Sequence, residues 1–355
     1  MVRKILALVL VLALACAGLV YAEDDSHGGW IAVMLLCDTA NVNDYGPNGG
    51  TPVQNTMMVV AVNPELGQVK QLMFAWDTFV EYGDYDEPKL LKFPFSDGGC
   101  AATLETLNTV FGIEVEERMA INFTNLAELI DSYGGVYLDI TREERNAANQ
   151  IIDSRVTYAA EAAASEYAEE ATDAVSRAIA SAAYSEYAIG GYGEDTHLNG
   201  LQAVVYGGMY YDSVYNSCIR QMAVIRELFA RVGERIDEKY VLYTSEDEIP
   251  EGDKRIAVNI NAMTAEQKAD IVAIAQPVLD KSTGNVSQKT FETIVLLCVQ
   301  ADYMAQKYGG NLFDLVETLI LPLEAQDETV EIAGESGHVI DVEANAAAAV
   351  EFLYN

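Results

Sequence analysis

Positive charge is scarce in this chain. Lys and Arg number 21 against 55 Asp and Glu, a formal net charge of −34. So acidic a surface repels nucleic acid and anionic head groups. That excludes a nucleic-acid partner, and it admits an anionic ligand only where a few cations are gathered locally. Histidine is nearly absent: His27, His197 and His338 are scattered along the sequence, which argues against a histidine-based catalyst. There is no Gly-x-Ser-x-Gly elbow and no phosphate loop ending in Gly-Lys-Ser/Thr, so neither a Ser/His/Asp hydrolase nor a P-loop enzyme has support. The cysteines show no Cys-x-x-Cys or Cys/His spacing of a zinc site.

What the chain does have is apolar material. Hydrophobic residues make up 50% of 355 positions, enough for one large core and against global disorder. Met1 to Ala22 reads as an export segment: Arg3 and Lys4 are followed by the apolar run Ile5–Val20 and a small-residue site at Val20-Tyr21-Ala22. The run is also nearly the ~20 residues a membrane span needs, so retention as an anchor is the alternative. A lipid on Cys16 is a third, with Ala13-Leu14-Ala15 a poor match to its signal. Each places the protein outside the cytoplasm, secreted or anchored at the cell surface. Residues 1–22 are thus read as signal peptide or membrane anchor, and 23–355 as a single domain. In that compartment Cys37, Cys100, Cys218 and Cys298 are free to form disulfides.

The stretch from Asn122 to Thr141, NFTNLAELIDSYGGVYLDIT, sets the fold class. Leu126, Leu129 and Ile130 recur at helical spacing behind the capping-type residues Asn122, Thr124 and Asn125. Gly134-Gly135 stops that helix, and Val136, Leu138 and Ile140 alternate as a strand. This is one αβ unit of an α/β domain. Trp30–Leu36, Thr56–Val62 and Val69–Phe74 read as further strands. Ala101–Val110 reads as an amphipathic helix whose first amides, at Gly98-Gly99-Cys100, can face an anion. Arg145–Ala188 lacks Gly and Pro, is rich in Ala, Glu and Ser, and predicts one long helix or a helical hairpin. Its Tyr158, Tyr167, Tyr184 and Tyr187 offer contact area to a protein partner at 145–188. Leu312–Ile320 reads as a helical or core segment.

Asn122–Thr141 resembles the corresponding segment of the LytR-CpsA-Psr family. So does His197–Val232, where Leu198, Gly200, Ala203, Tyr206, Asp212, Arg220 and Gln221 stand in place. A closing match runs from Val339-Ile340-Asp341 through Asn345 to Phe352-Leu353-Tyr354. The resemblance implies an α-β-α fold: a central mixed sheet flanked by helices, with a helical insertion around 145–188. It also implies transfer of glycopolymers from a polyprenyl-pyrophosphate carrier to peptidoglycan, with Mg²⁺ or Mn²⁺ as helper.

Carried over residue by residue, the resemblance implies Asp77 and Arg220 as catalytic groups. It implies Asp77, Asn55 and Asp38 as metal contacts, although Asp38 also reads as a turn residue. Lys89, Lys92, Gln221, Trp76, Tyr210 and Asp212 would face the ligand. Five positions depart from the pattern, because family arginines fall on Val53, Trp76, Gly208, Tyr210 and Ser217. None of these can bond a phosphate bidentately as arginine does. The expectation is therefore a member with degenerate chemistry, or a non-catalytic lipid-binding or scaffold protein on the same fold.

Overall fold

The computed structural model describes residues 29–38, 54–167, 185–244, 252–307, 316–323 and 329–355, with the side chains of 155–167 excepted. At its centre is a six-stranded mixed sheet. The chain supplies strand β1 at Ile31–Asp38, β2 at Gln54–Asn63 and β3 at Gln68–Phe74 as an antiparallel meander. Three more strands complete it: β6 at Glu117–Asn122 runs parallel to β1, β11 at Thr283–Gly284 edges β6, and β12 at Val316–Leu321 runs parallel to β3. The segment read as helical or core is thus an edge strand. Its apolar residues follow the run of the sheet, not a helical period.

The central strands are near-continuous apolar runs because both faces are covered. On one face Met34, Leu36, Met57, Val59 and Phe74 pack with Leu104, Leu107, Phe111 and Leu353. These belong to helix α1, Pro94–Phe111, and the C-terminal helix α8, Val342–Tyr354. On the other face Met58, Val60 and Met73 meet Val214, Cys218, Met222 and Leu297, from α5 at Val214–Lys239 and α7 at Gln288–Lys307. The α-β-α layering is as expected. Helix α1 begins seven residues before the expected start, at Pro94, and breaks at Gly98-Gly99, where neither residue is helical.

The αβ unit forms as its sequence dictates. Asn122 caps helix α2, Phe123–Ser132, its side chain accepting from the Asn125 amide at 2.8 Å. Gly134 and Gly135 have φ of +92 and +87, and strand β7, Val136–Ile140, leaves with Val136, Leu138 and Ile140 inward. A β-carbon at Gly135 would overlap His197, which lies on strand β8, Gly193–Leu198. Helix α4, Gly200–Gly208, then presses on α2 so closely that a β-carbon at Gly200 would overlap the Ala127 carbonyl. This helical side holds the largest apolar cluster, from Leu129 and Ile130 to Val224 and Leu228, and includes helix α6, Ala265–Asp280.

Helix α3 runs from Arg142 to Tyr167. The side chains of Tyr158, Tyr167 and Tyr184, offered above as partner contacts, lie outside the described residues; Tyr187 is exposed. Among the described residues no helix is long and apolar enough to cross a membrane. A small second sheet of β4 (Thr78–Val80), β5 (Lys89–Leu90), β13 (Val330–Ile332) and β14 (Glu335–Val339) follows β3. Trp76 and Asp77 are the hinge between the two sheets.

Candidate functional site

Strand β2 carries a bulge that aims the first site residue. Cys37 pairs with Thr56 and Asp38 with Gln54, so Asn55 is the extra residue. Its Oδ1 accepts from Gln221 Nε2 at 3.0 Å, and the same Nε2 donates to Ser217 Oγ at 3.1 Å. The Ser217 hydroxyl donates to the Gly207 carbonyl at 3.1 Å. Gln221 Oε1 is buried without a partner. Asn55, Gly208 and Gln221 form the polar border of an otherwise apolar cavity of about 80 Å³. Leu36, Phe123, Leu129, Val224 and Leu228 wall it, and Phe229 and Val278 separate it from a larger cleft of about 290 Å³ among α5, α6 and α7.

Arg220 lies two turns into α5 and is 4% exposed. Its two terminal nitrogens donate to both carboxylate oxygens of Asp212 at 3.0 and 2.8 Å. Nη2 also donates to the Met209 carbonyl at 2.7 Å, and Glu144 Oε1 lies 3.8 Å from Nη1. The Tyr206 hydroxyl donates to Glu144 at 3.3 Å, and the Tyr211 ring lies 5.3 Å from the guanidinium. Burial raises Asp212, but the Arg220 bonds and the Ser213 amide outweigh it and hold the carboxyl at about 2. One guanidinium is thus matched to two carboxylates, and the group carries no surplus positive charge.

At the sheet junction, Asp77 Oδ2 lies 3.6 Å from His338 Nε2, while Oδ1 is buried without a partner. Burial raises Asp77 above the usual carboxylate range, against the opposing pull of His338 and Lys92. The Trp76 ring meets the Tyr210 ring edge-on at 5.5 Å, so these two substitutes for arginine pack on each other. Lys92 Nζ sits 5.0 Å over Trp76 and is paired with Glu335 at 3.1 Å. Lys89 goes elsewhere, 5.4 Å over the Tyr85 ring.

Asp38 is the buried last residue of β1, not a turn residue; it neighbours Cys37 and Cys100. Burial, then Asp38, pushes the Cys100 thiol up to about 11, and burial pushes Cys218 up to about 12. Cys37, Cys100, Cys218 and Cys298 are all free, so none of the disulfides the compartment allows is formed. Among the described residues no three His, Cys, Asp or Glu groups converge as metal ligands. Asp77 offers one buried, unpartnered carboxylate oxygen; a Mg²⁺ held by a single carboxylate takes the rest of its shell from water and ligand phosphates.

The structure therefore brings Trp76, Asp77, Lys92 and Tyr210 together, ties Arg220 to Asp212, and joins Gln221 to Asn55. Sequence reasoning missed His338, set aside as scattered, and Glu144, whose tie to Arg220 crosses from one helix to another. Neither carries a local signal.

A mixed sheet between helix layers, with an apolar cavity under a polar border, defines an α/β fold shared with several solved structures. These include TagT bound to LI-WTA (TM-score 0.58, 14% identity, 94% of this chain and 93% of that one). Bacillus subtilis TagV superposes with a TM-score of 0.55 at 15% identity, over 91% of this chain and 97% of that one. The LytR_cpsA_psr family profile matches residues 43–308, and the chain belongs to that family. Two curated relatives are described as polyisoprenyl-teichoic acid–peptidoglycan teichoic acid transferases. TagU of Halalkalibacterium halodurans is 26% identical over 85 residues, 24% of this chain and 28% of the relative. TagV of Bacillus subtilis is 26% identical over 101 residues, 28% of this chain and 26% of the relative. The matched stretch spans only about a quarter of either relative's length.

Proposed function

We propose that this protein is a degenerate, non-catalytic member of its family that holds a polyprenyl-linked glycopolymer, or another lipid of similar shape, at the cell envelope. The observation that carries this reading is the state of Arg220. A charge-assisted hydrogen bond contributes roughly 1.5–3 kcal/mol. For Arg220 to clamp a diphosphate with its two terminal nitrogens it would give up the bonds they make to Asp212 and Met209, and leave Asp212 and Glu144 facing an anion. Lys92 is engaged with Glu335 in the same way. Trp76 and Tyr210 supply apolar surface where the family pattern has arginines. What remains is the apolar cavity, which at about 80 Å³ takes one end of an isoprenoid chain, with the cleft of about 290 Å³ beyond Phe229 and Val278 for the rest, and needs no charge.

The export segment at 1–22 would place residues 23–355 at the outer membrane-facing surface or in the wall, beside peptidoglycan. The competing reading keeps the family's transfer reaction, with the unpartnered Oδ1 of Asp77 as the surviving carboxylate. A transfer assay separates them: lipid-diphosphate-linked teichoic acid is offered with peptidoglycan, Mg²⁺ and the full chain. The proposal expects no polymer on the wall above a protein-free control. Turnover that disappears in Asp77→Asn would overturn it.

A further inference from the structure

A second cleft lies on the small sheet, outside the cavity described above. It measures about 270 Å³, and its walls include Phe79, Tyr82, Tyr85, Lys89, Phe93 and Asp97. The Tyr82 and Tyr85 rings stand edge-on to each other, 5.4 Å apart at 64°, and form an aromatic corner. Both hydroxyls donate to the same oxygen, Asp97 Oδ2, at 2.9 and 3.0 Å. Burial and the Asp97 bond raise the Tyr82 hydroxyl, and the Asp97 bond raises that of Tyr85, so both stay protonated donors. A carboxylate has about four acceptor sites. Asp97 Oδ1 therefore remains open to a hydroxyl donor from outside, with no hydrogen bond of its own among the described residues.

The composition of the walls selects a ligand class. Lys89 and the Lys92–Glu335 pair disfavour a cation, since one lysine sits over Tyr85 and the other over Phe93 at 4.8 Å. Asp97 disfavours an anion. The carboxylate and the two phenol groups disfavour a purely apolar ligand. An amphipathic ring with one C–H face and a rim of hydroxyls satisfies all of these: the face stacks on tyrosine while the rim donates to carboxylate. At about 270 Å³ the cleft lies just under the ~300 Å³ at which drug-sized ligand pockets begin, so it suits no more than one or two rings.

We propose that this cleft is a carbohydrate site that takes one or two neutral pyranose rings, stacked on Tyr85 and hydrogen-bonded to Asp97 Oδ1. It stands on the cleft's own geometry, so a chain that held no lipid would leave it unaffected. The test is saturation-transfer NMR on the full chain with N,N′-diacetylchitobiose and maltose as probes. A proline-rich peptide is the competitor, because aromatic corners also suit extended proline helices.

Saturation of the sugar ring protons is expected. It should weaken about tenfold in apparent affinity in Tyr85→Ala and survive in Tyr85→Phe. Asp97→Asn should weaken it by a smaller factor, and Tyr192→Ala, an exposed tyrosine elsewhere, should change nothing. Tyr85 is 49% exposed, so its variants should fold, with circular dichroism as the check. Three results would overturn the proposal: no saturation of either sugar by a folded protein, saturation indifferent to both Tyr85→Ala and Asp97→Ala, or binding of the peptide in place of the sugars.

Discussion

Helix α5 contributes to two regions of opposite character. Ser217, Arg220 and Gln221 lie in its first two turns and face hydrogen-bond partners, Gln221 at the polar border itself, while Val224 and Leu228 wall the apolar cavity. The cavity is walled by packed apolar side chains. The border has lost the charge that the family pattern places there, and the arginine that remains is neutralised. The difference is physical. A cavity is the sum of many small apolar contacts, none of which is decisive. An anion site depends on a few individual cations, each contributing a large share.

The sharpest way to break this comparison is Arg220→Ala. If Arg220 is structural, removing it takes its hydrogen bonds from Asp212 and the Met209 carbonyl, a loss of about 1.5–3 kcal/mol. Urea denaturation should show that loss without any ligand present. A loss under ~1 kcal/mol would make Arg220 a ligand residue after all. Second, Val224→Phe fills the cavity. It should abolish binding of a short polyprenyl alcohol at a stability cost of about 1–3 kcal/mol from overpacking. The hydrogen bonds of Asn55 and Gln221 should persist, as read from amide chemical shifts.

Third, Trp76→Arg with Tyr210→Arg returns two of the missing charges. Affinity for a polyprenyl diphosphate should rise by about tenfold or more, and the gain should shrink in high salt. Fourth, Asp77→Asn removes a carboxylate whose ionised form is disfavoured by burial. The thermal midpoint should stay level or rise slightly.

The smallest effect is in pH. Burial raises Glu227 and Asp237 in the cleft of α5, and Asp77 at the junction, while Asp212 is held at about 2. For a raised carboxyl the folded state takes the proton first, so stability should increase as pH falls from neutral through those values. For Asp212 the unfolded state takes the proton first. The Arg220 tie therefore contributes fully above the ordinary carboxylate range and fades as pH falls toward 2. Thermal melts should pass through a maximum in mild acid.

The same contrast explains what the sequence made legible. Asn122, Gly134-Gly135 and the alternation of Val136, Leu138 and Ile140 are local signals, and the αβ unit forms where they place it. The missing arginines were equally visible, because absence needs no partner. The state of Arg220 was not. The resemblance gave it a catalytic role, whereas the fold buries it against Asp212 from the preceding loop and Glu144 from α3. Asp77 and His338 likewise meet only because β14 pairs with β4. The start of α1 was misjudged because Gly98-Gly99 looked like a helix boundary and is instead a break inside it.

The measurement that bears most directly on the account is calorimetry on the full chain with two ligands of one chain length, a short polyprenyl alcohol and its diphosphate, each with and without Mg²⁺. If the cavity binds and the border does not, the two affinities should agree within about threefold and ignore the metal. A diphosphate bound ~tenfold or more tightly than the alcohol, and only with Mg²⁺, would contradict the account and return the protein to the transferases.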